Sequence, residues 1–158
     1  MRCFPPVVDK NTKMLFLGSF PGPESLKRRE YYGHPQNQFW RLVGCLIKKD
    51  LHNMSYSEKI STLRKHRIGL WDVINSCERK GSSDNNIKNA CPNQFKKINK
   101  LAPNLRLICF NGKTSGRFVN EIIAPEKVVL PSSSPANTMH FNKKLKEWSR
   151  ACAELSDL

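Results

Sequence analysis

Three short segments of the chain carry residue types that chemistry could use. Gly18-Ser19-Phe20-Pro21-Gly22 follows an apolar run. Two glycines and a proline there allow a sharp turn that offers backbone N–H groups to a ligand. The segment lacks the Gly-Lys-Ser/Thr ending of a phosphate loop. Tyr31-Tyr32-Gly33-His34-Pro35-Gln36-Asn37-Gln38-Phe39-Trp40 crowds aromatics, a histidine and amides together. Such a loop can stack a planar base on tyrosine and place polar atoms with asparagine. The plainer reading makes Phe39 and Trp40 core and Asn37 a helix cap, and Phe39 is taken as core. Pro131-Ser132-Ser133-Ser134-Pro135-Ala136-Asn137 clusters hydroxyls and amides suited to phosphate oxygens, although an ordinary Ser/Pro loop has the same composition.

The elements that must position these segments alternate between strand-like and helix-like patterns. Met14–Gly18, 69–74 (GLWDVI), 105–110 (LRLICF) and 127–130 read as buried strands. Helices are expected from Phe39, Leu42, Val43, Leu46 and Ile47, and from Ile60 and Leu63 after Ser57. Others follow from Phe95, Ile98 and Leu101 (ended by Pro103), from Phe118, Val119, Ile122 and Ile123, and from Phe141, Leu145, Trp148 and Cys152. Residues 81–86 read as a loop. Strands separated by helices make a mostly parallel, helix-covered sheet the natural solution. Ligands bind such sheets outside the carboxyl ends of the strands, where Gly18–Gly22, Leu70–Ile74 and Pro131–Asn137 fall.

Composition narrows the partner. The 158 residues include 27 Lys+Arg against 13 Asp+Glu, a formal net charge of +14, scattered from Lys10 to Arg150 rather than held in a tail. A folded body this basic points to a polyanion, most often nucleic acid. At this length a single domain over 1–158 is expected. No run approaches a membrane span, and no apolar signal core opens the chain. Six cysteines without a CxxC spacing read as reduced thiols rather than metal ligands. A cytoplasmic, monomeric protein without metal or cofactor is the expectation.

Taken together and in order, GSFPG with ESL, YYGHPQNQFW, IGLWDVI, ICFNG and LPSSSPAN resemble the uracil-DNA glycosylase superfamily. The set is most similar to the branch that includes hypoxanthine-DNA glycosylases, and it runs from Met14 to Asn137. The resemblance implies an α/β fold: three layers, α/β/α, around a central, mostly parallel four-stranded sheet. It also implies roles. Gly18, Ser19 and Phe20 belong to a base-binding turn, continued toward DNA by Pro21 and Gly22. Its third position holds an Asp or Asn that handles water in many members, and Phe20 stands there instead. The hypoxanthine branch lacks that group too, and its catalytic asparagine matches Asn37. Tyr32 matches the aromatic that stacks on a flipped base, Asp72 or Trp71 the residue that reads its edge, and Asn111 joins the base-binding set. Ser132, Ser133, Ser134 and Asn137 match the motif that grips phosphates and inserts a wedge. The wedge position falls on small Ala136, with Met139 or His140 as substitutes.

Breaking an N-glycosidic bond builds positive charge on the sugar and negative charge on the departing base. A protein helps by holding the base, donating hydrogen bonds to it and positioning a water. Asn37 is expected to orient that water through its carbonyl. Asp72 is the alternative activator, a recogniser of a base N–H, or a strand-end carboxylate capping a turn. No lysine is placed for Schiff-base chemistry. The expectation is a monofunctional DNA glycosylase that removes hypoxanthine or uracil from DNA in base excision repair. The alternative is a non-catalytic nucleic-acid-binding module on the same fold.

Overall fold

The computed structural model of the chain describes residues 1–153. Its centre is a parallel sheet of β1 (Met14–Gly18), β2 (Ile68–Asp72), β5 (Leu107–Asn111) and β6 (Glu126–Leu130), in the order β2-β1-β5-β6. β1, β2 and β5 are buried at every position. Burial on both faces explains why they read as continuous apolar runs rather than as alternating patterns.

One layer consists of α2 (Phe39–Ile47), α3 (Tyr56–Lys65) and α6 (Phe141–Ala153). Here Phe16 stacks on Trp148 at 5.4 Å and meets Phe39 edge-on, in a core with Leu42, Leu63 and Leu70. The opposite layer holds α4 (Lys96–Leu101) and α5 (Lys113–Gly116), over Leu15, Leu17, Ile108 and Phe110. A short helix α1 (Pro23–Arg28) follows the first turn, with proline at its start, where the missing N–H costs nothing. No helix among the described residues is long and apolar enough to cross a membrane. All six cysteines are free thiols.

Two expectations are corrected. The strand expected to run through Ile74 breaks after Asp72. Ile74–Arg79 (β3) instead leaves the sheet and pairs antiparallel with Ile87–Pro92 (β4). Residues 81–86 are the connection of this hairpin, which sequence patterning missed because β4 has no buried position. The helix expected through Ile123 stops at Gly116. Beyond it Phe118, Val119 and Glu121 bond three residues back. That tighter winding leaves Phe118 and Ile122 packed on the second core and turns Ile123 out, 80% exposed.

The register aligns the carboxyl ends. Gly18 pairs with Asp72, Leu17 with Phe110, and Asn111 with Leu130. The chain crosses from β1 to β2 in one direction and from β5 to β6 in the other. A crevice therefore opens between Gly18 and Asn111, at the switch point of the sheet.

Candidate active site

The crevice is a cavity of about 850 Å³ at these strand ends. It is lined by Gly18 to Gly22, Tyr32, Asn37, Asp72, Asn111, Ser132 to Ser134 and Asn137. Of the residues expected to catalyse, bind the base or contact DNA phosphates, Trp71 alone lies elsewhere. Adjacent strand residues face opposite sides of a sheet. Asp72 thus reaches the cavity, while Trp71 packs with Leu15, Leu17 and Phe20 in the second core.

The turn after β1 is shaped by what closes over it. A Cβ on Gly18 would sit 2.7 Å from Asp72 Oδ1 and 3.1 Å from the Tyr32 hydroxyl, so any larger residue would have to push these groups aside. The Gly18 and Ser19 carbonyls accept from Val73 N and Ile74 N. The Ser19 hydroxyl donates to Asp84 at 2.9 Å. Arg79, at the end of β3, donates to the Pro21 carbonyl at 2.6 Å and to the Gly81 carbonyl at 3.0 Å. Its guanidinium also lies 5.5 Å from the centre of the Phe20 ring. Phe20, where the resemblance leads one to expect an Asp or Asn, is 6% exposed and belongs to the core. Arg79 is a site residue that sequence reasoning missed, because nothing in β3 marked its end as returning to the cavity.

Tyr32 is held in left-handed backbone, φ 54°, uncommon for a residue with a side chain. Its neighbours fix it. Tyr31 N donates to the Tyr56 hydroxyl, Trp40 Nε1 to the Tyr31 carbonyl, and Gly33 N to Ser25 Oγ. The Tyr32 ring stacks on Phe39 at 3.9 Å, and the residue lines the cavity. Its hydroxyl is buried beside Asn111 without a well-formed hydrogen bond, and burial pushes it above the usual phenol range.

Asn37 does two jobs at once. Its Oδ1 accepts from Phe39 N at 3.0 Å, at the start of α2, and from Ser133 Oγ at 2.8 Å. Ser133 Oγ in turn accepts from Asn111 Nδ2 at 2.9 Å, and Asn111 Oδ1 accepts from Ser133 N at 2.9 Å. Flipping the Asn37 amide would set its NH₂ against the Phe39 N–H, so the orientation is determined. The carbonyl expected to hold water is therefore already doubly engaged, and the amide NH₂ is the end left for the cavity. Asn111 lines the cavity, yet both ends of its amide hold Ser133.

Gly112, at φ 101°, turns the chain after β5, and its Cβ would lie 3.1 Å from Ser132. The serine loop is locally closed: Ser134 N donates to Ser132 Oγ, and Ala136 N to Ser134 Oγ. Both hydroxyls keep their own hydrogens for a phosphate oxygen. Asn137 donates to the Ser132 carbonyl and accepts from Met139 N. Of the two substitutes for the wedge, Met139 lines the cavity, whereas His140 accepts from Asn142 N in the first turn of α6. His34 likewise accepts from the Gln36 N–H within its own loop.

Asp72 is 4% exposed, and its Oδ2 is buried without a hydrogen bond. Burial, reinforced by the nearby Asp84 carboxylate, pushes its carboxyl up to about 7 against the pull of Arg79. The cavity thus combines an aromatic face, an amide of fixed orientation, an unpaired carboxyl and a hydroxyl-rich loop.

The chain as a whole is similar to known proteins. The family model of the uracil DNA glycosylase superfamily matches residues 5–156. A protein of Methanosarcina acetivorans named hypoxanthine DNA glycosylase is 45% identical over 149 residues, covering 93% of this chain and 94% of its own. A protein of Methanosarcina barkeri with the same name is 43% identical over 150 residues, covering 94% of this chain and 95% of its own. A solution NMR structure from Methanosarcina acetivorans, described as a candidate uracil DNA glycosylase, superposes with a TM-score of 0.86 at 43% identity. That match covers 98% of this chain and 97% of the other. With its strand-end motifs in one cavity and a family match over nearly its whole length, the chain belongs to the uracil DNA glycosylase superfamily.

Proposed function

We propose that the chain is a monofunctional DNA glycosylase that hydrolyses the N-glycosidic bond of a deaminated base in DNA, hypoxanthine first and uracil second. It would catalyse the opening step of base excision repair. The observation that carries this reading is the Asn37 amide, locked between Phe39 N and Ser133 Oγ with its NH₂ toward the cavity. The departing base gathers negative charge, and a fixed N–H donor stabilises it without reorganising. In a dissociative transition state the water needs little activation, which suits a site whose usual water-handling position is Phe20.

The base is flipped out of the duplex and lies against the ring of Tyr32 where that residue lines the cavity. Deamination turns the edge of adenine from acceptor-beside-donor into an N–H beside a carbonyl. Asp72 Oδ2, ionised, accepts from that N–H. The phosphates flanking the sugar rest on Ser132 and Ser134, and Met139 is the wedge. The names of the two relatives favour hypoxanthine over uracil. The net charge of +14 suits a DNA duplex rather than a free nucleoside. Free thiols, with Cys45 and Cys91 exposed, suit a reducing cytoplasm.

The test is incubation with end-labelled duplexes carrying one hypoxanthine, uracil or xanthine, then hot alkali to cleave abasic sites. Strand cleavage at hypoxanthine and none in undamaged DNA is the expected result. Tight binding without cleavage at any of the bases would overturn the reading and favour the non-catalytic module.

A further inference from the structure

Lys144 lies on the buried side of α6, one turn before Trp148, and is 1% exposed. Its ammonium donates to Gln38 Oε1 at 2.9 Å and to the Ser134 carbonyl at 3.3 Å. Both acceptors are neutral, and burial holds the amine below the usual lysine range. A buried cation without a carboxylate partner is costly, and an apolar residue would fill the same space at less expense. Packing does not account for it.

The two acceptors belong to the two loops that make the site. Gln38 follows Asn37, and its backbone N–H donates to the Ser133 carbonyl at 3.0 Å. Ser134 follows Ser133, whose hydroxyl holds the Asn37 amide. One turn further along α6, Trp148 Nε1 donates to the Pro131 carbonyl at 2.9 Å and anchors the start of the same loop. The Asn37–Gln38 and Ser133–Ser134 pairs are thus laced together by three contacts. Lys144 supplies the one that comes from outside both loops. It does not line the cavity and, at 1% exposed, is closed off from solvent.

We propose that Lys144 is a positioning residue of the glycosylase site, joining the Gln38 side chain to the Ser134 carbonyl so that Asn37 stays in register with the phosphate-gripping serine loop. The inference rests on the function proposed above. Lys144 acts through Asn37: without it the loops still form and DNA still binds, but the amide loses its fixed aim at the base.

The test uses the full chain with Lys144→Met, and with Gln38→Ala as a second variant that removes the same contact without emptying a buried position. The readouts are single-turnover release of hypoxanthine, duplex affinity, and the Asn37 side-chain amide peaks in ¹H–¹⁵N spectra, assigned by their loss in Asn37→Ala. Both variants are expected to release base ~10- to 100-fold more slowly, as misplaced groups do. Affinity should stay within about threefold of wild type, and the Asn37 peaks should shift. If Lys144→Met does not fold, Gln38→Ala carries the comparison. Unmoved Asn37 peaks, an unchanged rate, or affinity falling in step with the rate would overturn the proposal. A wild type that releases no base while the peaks shift would overturn the function and leave the lacing intact.

Discussion

Asn37 and Ser133, ninety-six positions apart, share a hydrogen bond of 2.8 Å in which the Ser133 hydroxyl donates to Asn37 Oδ1. It joins the aromatic–amide loop to the serine loop and decides which end of Asn37 faces the cavity. Removing the hydroxyl with Ser133→Ala leaves Asn37 and Asn111 each short of a partner. Unpaired buried polar groups cost about 1–3 kcal/mol. Base release in single-turnover assays should slow roughly 10- to 100-fold, with little change in duplex affinity.

Asp72 ties stability to pH. Its carboxyl is raised from the ordinary 3.8 to about 7 in the folded protein. Between those values the native state holds a proton that the unfolded chain has released, so stability is full below the lower value and falls as pH rises toward the upper. Asp72→Asn abolishes this fall. From pH 4 to 7.5, the wild-type Tm should drop relative to the variant by roughly 5 °C or more. Activity should rise with pH through about 7, where Asp72 ionises and can accept the base N–H, and Asp72→Asn should flatten that rise.

Arg79 couples the hairpin to the first turn and to Asp72. Its side chain is 2% exposed, and it holds the Pro21 carbonyl at 2.6 Å. Arg79→Met should cost about 2 kcal/mol, a Tm loss of about 4–8 °C by calorimetry. The guanidinium also lowers the Asp72 carboxyl, so its removal should shift the midpoint of the pH–rate profile upward.

Gly18→Ala tests the close approach at the turn. The added methyl would press on Asp72 Oδ1 and the Tyr32 hydroxyl. Overpacking of this kind costs about 1–3 kcal/mol. Hypoxanthine release should fall by about tenfold or more, because the Asp72 carboxyl and the Tyr32 ring, proposed to hold the base, are both displaced.

The sheet was legible because its central strands are buried on both faces, which writes them as unbroken apolar runs. The same property hid the choice between Trp71 and Asp72. A strand covered on both sides carries no polar alternation to say which neighbour faces the cavity. The hairpin was hidden for the opposite reason, since β4 is exposed at nearly every position and leaves no pattern. Nothing in the sequence singled out Lys144, and only the packing of α6 against two loops shows what it holds. Asn37 stood out in its loop as a candidate, but the direction of its amide depends on a serine ninety-six positions away.

The most direct measurement compares single-turnover release of hypoxanthine from a duplex by wild type and by Asn37→Ala at saturating protein. The account predicts release by the wild type and a loss of ~100-fold or more in the variant, which still binds the same duplex. Equal rates for the two proteins would contradict it.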